Sequence, residues 1–277
     1  MNGIILINKE KGITSRDVVN KVSKKLNTKH VGHAGTLDPL ATGLMVLGIN
    51  KGTKILELLT LDKKEYIATV RIGIQTDTYD IIGTIIKKNS NYNLGKEELL
   101  KAFNHFSGTY LQTVPKYSAV KINGKKLYEY ARGNIDIELP KREVSIYEIE
   151  LLSFDNNTFK FRTVVSKGTY IRSLINDIGE YLNIPMTMEE LVRTKSGIFK
   201  LEDSNDIDSE YNIISIKDSL DIKSINVVDK ELLKKIKNGN IINYESNLDY
   251  ILFLEDNSEL AIYKKIENFT YKAFRVF

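Results

Sequence analysis

The chain of 277 residues contains no cysteine and only three histidines. Without cysteine, the protein has no disulfide, no Cys-ligated zinc, no iron–sulfur cluster and no catalytic thiol, and such a chain suits a reducing cytoplasm. His30 and His33 are close together, but no third ligand follows them at the spacing of a zinc site. The sequence therefore predicts no metal centre.

Long apolar runs and nucleotide-binding motifs are also missing. No stretch approaches the roughly eighteen apolar residues of a membrane span, and the N-terminus lacks the apolar stretch of a signal peptide. Neither membrane insertion nor secretion is therefore expected. The phosphate-binding patterns G-x-x-x-x-G-K-[ST] and G-x-G-x-x-G do not occur. We expect a cytoplasmic protein that uses no nucleotide, metal or redox cofactor.

Charged residues are distributed unevenly along the chain. Residues 1–200 carry a net charge of +9, whereas residues 201–277 carry −5. A basic first part indicates a polyanionic partner such as nucleic acid, although a lysine-rich solvated surface would give the same balance. Hydrophobic residues make up 42% of the chain, which is enough for a substantial core. The length favours a main domain and a smaller one.

Apolar periodicity predicts both strands and helices before residue 200. Strands are expected at residues 3–8, 43–49, 66–74 and near 159–161, and helices after the Thr14–Asp17 capping box, at 96–106 and after Gly168. On the second helix the inward residues are predicted to be Leu99, Leu100, Phe103 and Phe106. The elements do not alternate as regular βαβ units, so an α+β fold with mainly antiparallel pairing is expected.

Three segments are predicted from their composition. Residues 30–43 are too rich in turn residues for regular structure. Residues 202–224 carry seven acids and two lysines, and are interpreted as a linker or a bordering loop. Residues 225–277 return to short apolar strands, which indicates a small β-rich second domain.

The most informative segment is HVGHAGTLDPLATGLMVLG, residues 30–48. Its glycines permit unusual dihedrals and the close approach of another molecule. Asp38 followed by Pro39 also fits the N-cap and first residue of a helix, and the local pattern alone favours that structural role. The stretch Gly32–Gly35 matches the GXXG loop of KH domains, but this short pattern is weak evidence.

The same segment resembles the signature of the TruB family of tRNA pseudouridine synthases, in which Gly-Xaa-Leu-Asp-Pro-Xaa-Ala-Thr-Gly is the core. One departure is Glu10, where the family usually has proline. The final segment, through Asn238-Gly239 and Ala261-Ile262-Tyr263, is similar to a PUA-type RNA-binding domain. The matching blocks before it are Lys9 with Gly12 and Ser15, Gly35–Gly43, Lys64-Glu65-Tyr66 with Gln75–Thr78 and Asp80, Tyr117–Lys121, Lys126–Arg132 and Ser166–Arg172.

The resemblance implies the isomerisation of uridine 55 in the T-loop of tRNA to pseudouridine. The reaction breaks a glycosidic bond, turns the base and forms a carbon–carbon bond without net redox change. A carboxylate suffices for it, and Asp38 is the implied catalytic residue. A stacked T-loop uridine must first be flipped into a pocket. No cofactor is implied.

Two further residues receive catalytic roles from the resemblance. Tyr66 is expected to lie against the flipped base and to accept a proton, although the pattern alone favours a tyrosine on a core-facing strand. Arg172 is expected to pair with Asp38 and to keep the carboxylate ionised and oriented. The sequence alone favours an exposed helix arginine at that position.

Substrate-binding roles are expected at several other positions. His33 is predicted to contact the RNA, or to be a satisfied loop histidine, and Asp80 to bind displaced nucleotides or hold its loop. Lys9 is expected to support the active-site loop, and Leu191 to line the uracil pocket as well as the core. In a thumb-like insertion at about residues 116–142, basic and aromatic residues suit phosphate contact and base stacking. The residues assigned to that contact are Tyr117, Lys121 and Arg132.

The expected organisation is a pseudouridine synthase core at residues 1–205 and a PUA-like domain at residues 225–277. The expected partner is the T-arm of tRNA, with no obligate protein partner and a monomer as the default. One alternative is a non-catalytic RNA-binding or RNA-chaperone protein of the same fold, against which Asp38 argues. The other is a synthase acting on another RNA, as in RNA-guided relatives that carry a longer PUA domain.

Overall fold

The computed structural model describes residues 1–60, 63–133 and 135–277. Short 3₁₀ turns lie at Asn50–Ile55 and Leu201–Asp203. The helices of the described residues are α1 (Ser15–Lys25), α2 (Leu56–Thr60), α3 (Lys96–Phe106), α4 (Leu127–Arg132), α5 (Ile171–Leu182) and α6 (Lys230–Lys237). The strands are β1 (Gly3–Lys9), β2 (Val31–His33), β3 (Thr42–Ile49), β4 (Lys64–Ile72), β5 (Ile74–Thr76), β6 (Ile85–Lys88), β7 (Gly108–Thr113), β8 (Lys121–Ile122), β9 (Lys125–Lys126), β10 (Lys141–Phe154), β11 (Thr158–Val165), β12 (Met186–Ser196), β13 (Phe199–Lys200), β14 (Asn205–Asp206), β15 (Lys223–Asn226), β16 (Ile242–Asn243), β17 (Tyr250–Glu255), β18 (Ser258–Glu267) and β19 (Thr270–Val276).

A ten-stranded sheet forms the main body of the described chain, in the order β14-β1-β3-β12-β4-β11-β10-β7, with β2 beside β3 and β13 beside β12. Only the pairs β1–β14 and β3–β12 are parallel among these contacts. The prediction of an α+β fold with a mixed, mainly antiparallel sheet is confirmed.

One face of this sheet is covered by α1, α3 and α5, whose apolar stripes fill the main core. The ring of Phe103 packs 5.6 Å from that of Phe161, centroid to centroid. Leu100 was expected inside but is 39% exposed. It lies off the i, i+3, i+4, i+7 stripe that Leu99 begins, and Ala102 takes the buried position instead.

The glycine-rich segment before Asp38 is more regular than its composition predicts. Residues 31–33 form β2, which pairs with β3 so that Gly32 lies opposite Gly48. A Cβ atom at Gly48 would lie 2.6 Å from the carbonyl oxygen of Gly52, so glycine here allows the following 3₁₀ turn to approach the sheet closely. No helix begins at Asp38, and the N-cap interpretation of this residue is wrong.

A second sheet, β15-β17-β18-β19-β16, forms the C-terminal part of the described chain. It is the β-rich body expected there, and its curled form is consistent with a PUA-like domain. It also includes α6, which was not predicted and buries Ile236 against the sheet. The preceding segment is part of the packed structure, because β14 joins the main sheet and Ile207, Ile216 and Leu220 are buried.

The two sheets share a hydrophobic cluster on the face of the main sheet opposite α1, α3 and α5. Leu44 and Val46 of β3 belong to it together with Leu252, Leu254 and Ile262 of the second sheet. The second sheet therefore covers apolar surface that the main sheet would otherwise expose to water. None of the helices formed by the described residues has the length and apolar character that crossing a membrane requires.

Candidate active site

Asp38 lies in the irregular loop between β2 and β3, and the chain before it fixes that loop. The buried ammonium of Lys9 donates to the carbonyl oxygens of Ala41 at 2.6 Å and Pro39 at 3.3 Å. At the start of α1, the hydroxyl of Ser15 donates to the carbonyl of Leu37 and accepts from its N–H, both at 2.8 Å. The residues on both sides of Asp38 are thereby held to the body of the protein.

Arg193 on β12 holds the loop from the other side. Its fully buried side chain donates from Nε to the carbonyl of Leu44 at 2.6 Å and from Nη2 to that of Gly35 at 3.3 Å. Gly43 has φ +98°, and a Cβ atom there would lie 2.5 Å from the carbonyl oxygen of Arg193. Only glycine fits this approach. Sequence reasoning missed Arg193, because no local pattern marks an arginine whose partners are distant carbonyls.

Arg172, on the first turn of α5, pairs with Asp38. Its Nε lies 2.9 Å from Oδ2 of Asp38, as predicted. Nη1 donates to the carbonyl of Thr78 at 2.8 Å, and Nη2 to that of Tyr117 at 3.0 Å. The side chain is 5% exposed, so the alternative of an exposed helix arginine is wrong. The buried guanidinium of Arg172 is held by three partners and orients the carboxylate of Asp38, whose side chain is 38% exposed.

Asp80 is the second carboxylate near this arginine. Its Oδ2 lies 3.7 Å from Nη1 of Arg172. Its Oδ1 accepts hydrogen bonds from the hydroxyl of Thr78 at 2.8 Å and the N–H of Ile82 at 3.2 Å. Tyr79, which lies between Thr78 and Asp80 in the chain, adopts a positive φ of 63°. This geometry fits the expectation that Asp80 holds its own loop, whose Thr78 carbonyl binds Arg172.

Asp38 lines a cleft of about 390 Å³, a volume within the range of small-ligand sites. Five of the residues predicted from the sequence to be functional line it, namely Asp38, Tyr66, Tyr117, Arg172 and Leu191. Tyr66 on β4 and Leu191 on β12 are also members of the main core, so the structural and pocket-lining interpretations hold together. The positive side chains on the wall are Lys64, Lys167, Arg172 and Arg193. The cleft is basic, as a phosphate-bearing substrate requires.

The other predicted residues lie outside the lining of this cleft. Lys9 is behind the Asp38 loop, where burial lowers its pKa to about 8 while the charge of Asp38 opposes the shift. His33 lies on β2, and its Nδ1 accepts from the N–H of Gly35 at 3.3 Å. Burial, together with Arg16 and Arg193, lowers the pKa of His33 and favours the neutral imidazole.

Lys121 and Arg132 belong to an excursion from the main sheet. Thr113 at the end of β7 pairs with Lys141 at the start of β10, so the described residues between 114 and 140 leave the sheet and return to the same place. The excursion carries β8, β9 and α4, and places Tyr117 and Tyr128 on the wall of the cleft. Arg132 lies 5.5 Å from the ring centroid of Tyr128. Of Tyr117, Lys121 and Arg132, which were predicted to contact RNA, Tyr117 is the one that lines the cleft.

Comparison with known proteins identifies relatives over almost the whole chain. The sequence model of the TruB family pseudouridylate synthase (N terminal domain) matches residues 23–171. The tRNA pseudouridine synthase B of Bacillus pumilus is 42% identical over 97% of this chain and 82% of its own length. That of Mycoplasma mobile is 41% identical over 92% of this chain and 88% of its own. That of Clostridium kluyveri is 39% identical, with both chains covered completely.

Solved structures share the fold at lower identity. A Cbf5-Nop10-Gar1 complex matches with a TM-score of 0.73 and 22% identity, over 99% of this chain and 84% of that one. An H/ACA RNP bound to a substrate RNA containing 2'-deoxyuridine matches with a TM-score of 0.72 and 23% identity, over 96% and 78%. These likenesses show a common architecture for the two sheets. The family match and the relatives of 39–42% identity establish that the chain belongs to the TruB family of pseudouridylate synthases.

Proposed function

We propose that this chain converts uridine 55 in the T-loop of tRNA to pseudouridine, with Asp38 as the catalytic carboxylate. Tyr66, Leu191 and Arg172 share the same cleft. The observation that carries the proposal is the Asp38–Arg172 ion pair on the wall of a basic cleft. The relatives named tRNA pseudouridine synthase B supply the substrate class.

The reaction exchanges one bond of the ribose C1′ for another. The C1′–N1 bond breaks, uracil turns, C5 bonds to C1′, N1 gains a proton and C5 loses one. Asp38 could attack C1′, attack C6 of uracil, or remove a ribose proton on a glycal route, and each route requires the carboxylate anion. Arg172 pairs with that carboxylate and orients it. Tyr66 lies in the cleft as the candidate acceptor of the C5 proton.

Binding is assigned to the walls around the cleft and to the excursion at residues 114–140. The flipped uracil would lie against Tyr66 and Leu191, and the T-arm phosphates against basic groups such as Lys121 and Arg132. Lys9 would keep the Asp38 loop in place, and His33 would contact the RNA beside it. Asp80 would hold its own loop. The names of the bacterial relatives mention no partner protein. The proposal therefore includes no obligate protein partner, and it takes the protein to act as a monomer on cytoplasmic tRNA.

The direct experiment is to incubate the purified protein with an unmodified tRNA transcript and map pseudouridine nucleotide by nucleotide. We expect one new pseudouridine, at position 55, and the same product in an isolated T-arm. A transcript with cytidine at position 55 is the control and should remain unmodified. Modification at another position would overturn the assigned target, and absence of any pseudouridine would overturn the proposal.

A further inference from the structure

The helix that carries Arg172 begins without a cap of its own. Tyr170 is the N-cap residue of α5, but its side chain makes no capping hydrogen bond, and the first turn contains no acidic residue. Ser, Thr, Asp or Asn would normally stabilise such a helix start. The orientation of the first turn, and with it that of Arg172, therefore depends on groups from elsewhere in the fold.

Gln112, near the end of β7, binds the backbone of this N-cap residue. Its side-chain Oε1 accepts from the N–H of Tyr170 at 2.8 Å, and its Nε2 donates to the carbonyl of the same residue at 3.1 Å. Gln112 is 1% exposed, so these bonds form away from water. Such a two-point amide contact fixes the position and the direction of the backbone at the start of α5.

The same glutamine is tied to α5 a second time, through Tyr110. Nε2 of Gln112 also donates to the hydroxyl of Tyr110 at 2.7 Å, and that hydroxyl donates to Oδ2 of Asp177 at 3.0 Å. Asp177 lies farther along α5 than Tyr170. Both N–H donors of the Gln112 amide are used, and β7 contacts the helix at two points along its axis.

Ser173 supplies a third connection between the same two elements. Its hydroxyl donates to the carbonyl of Thr113 at 2.9 Å. Two consecutive residues of β7, Gln112 and Thr113, thereby hold Tyr170 and Ser173, which flank Arg172 on either side. Since the excursion at residues 114–140 starts at the next residue, this junction links the catalytic pair to the root of the excursion.

We propose that Gln112 is a positioning residue for the isomerisation: through Tyr170 it fixes the first turn of α5 and thereby aligns Arg172 with Asp38. The inference rests on the proposed function of Asp38. Gln112 does not line the cleft, so it acts on the reaction without touching the base. Its loss should lower the chemical rate and leave the affinity for tRNA largely unchanged, because the phosphate-binding groups are elsewhere.

The test compares Gln112→Met with Gln75→Met. Gln75 is also buried and donates to Asn176 of α5, but it does not hold the turn that carries Arg172. We expect Gln112→Met to reduce the single-turnover rate at saturating enzyme by about tenfold or more, with the Kd for tRNA within about threefold of the wild type. Gln75→Met should lose thermal stability but keep the rate. A full rate for Gln112→Met, or an equal loss in both variants, would overturn the inference.

A double-mutant cycle tests whether Gln112 acts through Arg172. In an Arg172→Lys background, Gln112→Met should reduce the remaining rate by no more than about twofold, because the alignment it maintains is already lost. A full, multiplicative loss would contradict a role through Arg172. If Gln112→Met does not fold, Tyr110→Phe removes one arm of the same contact and should show the same pattern with a smaller effect.

The outcome for Asp38→Asn separates this inference from the proposed function. An active Asp38→Asn variant would remove the proposed function itself. An inactive one, combined with a fully active Gln112→Met variant, would remove only the role of Gln112.

Discussion

The Nε atom of Arg172 lies 2.9 Å from Oδ2 of Asp38 and joins the first turn of α5 to the loop between β2 and β3. The same guanidinium binds the carbonyls of Thr78 and Tyr117, which belong to two further segments. One side chain therefore sets the relative positions of the Asp38 carboxylate, the Asp80 loop and the root of the 114–140 excursion.

Arg172→Lys should be poorly tolerated, because an ammonium cannot reproduce three contacts made by a planar guanidinium. We expect a fall of about 100-fold in the single-turnover rate, with a smaller change in affinity for tRNA. Arg71→Lys is the matched control: Arg71 makes a two-point contact with Glu189 away from the cleft and should keep full activity. A rate for Arg172→Lys within about twofold of the wild type would contradict the assigned role.

Lys9 should make stability depend on pH in the alkaline range. Burial lowers its pKa to about 8 in the folded protein, against 10.5 for the ordinary side chain. Between these values the unfolded chain holds the proton that the folded protein has lost, so the contribution of Lys9 to stability rises with pH. Urea unfolding of the wild type and Lys9→Met at about pH 7.5 and about pH 9.5 measures this. The free energy of unfolding of the wild type, relative to that of Lys9→Met, should increase as pH rises. A difference that stays constant with pH would refute the lowered pKa of Lys9.

Asp177 should have the opposite effect in the acidic range. Burial raises its pKa to about 6, above its usual 3.8, while Tyr110 opposes the shift. The folded protein then binds the proton more tightly than the unfolded chain, so the contribution of Asp177 to stability is lost as pH rises from about 4 through 6. Over this pH range the free energy of unfolding of Asp177→Asn, relative to that of the wild type, should increase by on the order of 2 kcal/mol.

The control for this experiment is Asp155→Asn. Hydrogen bonds from the N–H of Asn157 and from Thr158 lower the pKa of Asp155, so its contribution to stability is lost as pH falls rather than as pH rises. Chemical unfolding across about pH 3 to 7 should show the wild type losing stability relative to Asp177→Asn as pH rises above about 4, and relative to Asp155→Asn as pH falls below about 4. The absence of the first of these changes would contradict the pKa direction assigned to Asp177.

Most of the affinity for tRNA is expected to come from the main domain, because residues 225–277 carry no net charge. Deleting the second sheet would uncover Leu44 and Val46 and is not a clean test. Replacing charged side chains in the full-length protein avoids this exposure of apolar surface. Replacing Lys121, Lys125 and Arg132 by glutamine should weaken binding and flatten its salt dependence more than replacing Lys230, Lys234 and Lys237 of α6. A larger effect from the α6 set would reverse this division of labour.

The sequence predicted elements wherever one periodic pattern governed one segment. The bounds of α3 are those read from its apolar stripe, and the capping box of Thr14 and Asp17 begins α1 as expected. The prediction that Leu100 faces inward was wrong, because this residue is next to Leu99 in the sequence but lies on another side of the helix. The helix α6 was missed, because four lysines interrupt a short apolar pattern that shows only two turns.

The site depends on contacts between distant segments, which local patterns do not record. Asp38 and Arg172 could be paired from the sequence only through the family resemblance, since each alone fits an ordinary cap or surface residue. Gln112 and Arg193 had no local signal, because their partners are backbone groups of remote loops. Their roles follow from where the chain returns in space, which is decided by the packing of the whole sheet.

The central claim is that Asp38 performs chemistry rather than holding structure, and Asp38→Asn tests it most directly. Asparagine keeps the size and hydrogen-bonding capacity of the side chain but removes its charge and nucleophilicity. The measurement is turnover and tRNA affinity on the same folded, purified variant, checked for deamidation and wild-type contamination. We predict undetectable pseudouridine formation with retained tRNA binding. Substantial turnover by the verified Asp38→Asn protein would contradict the account.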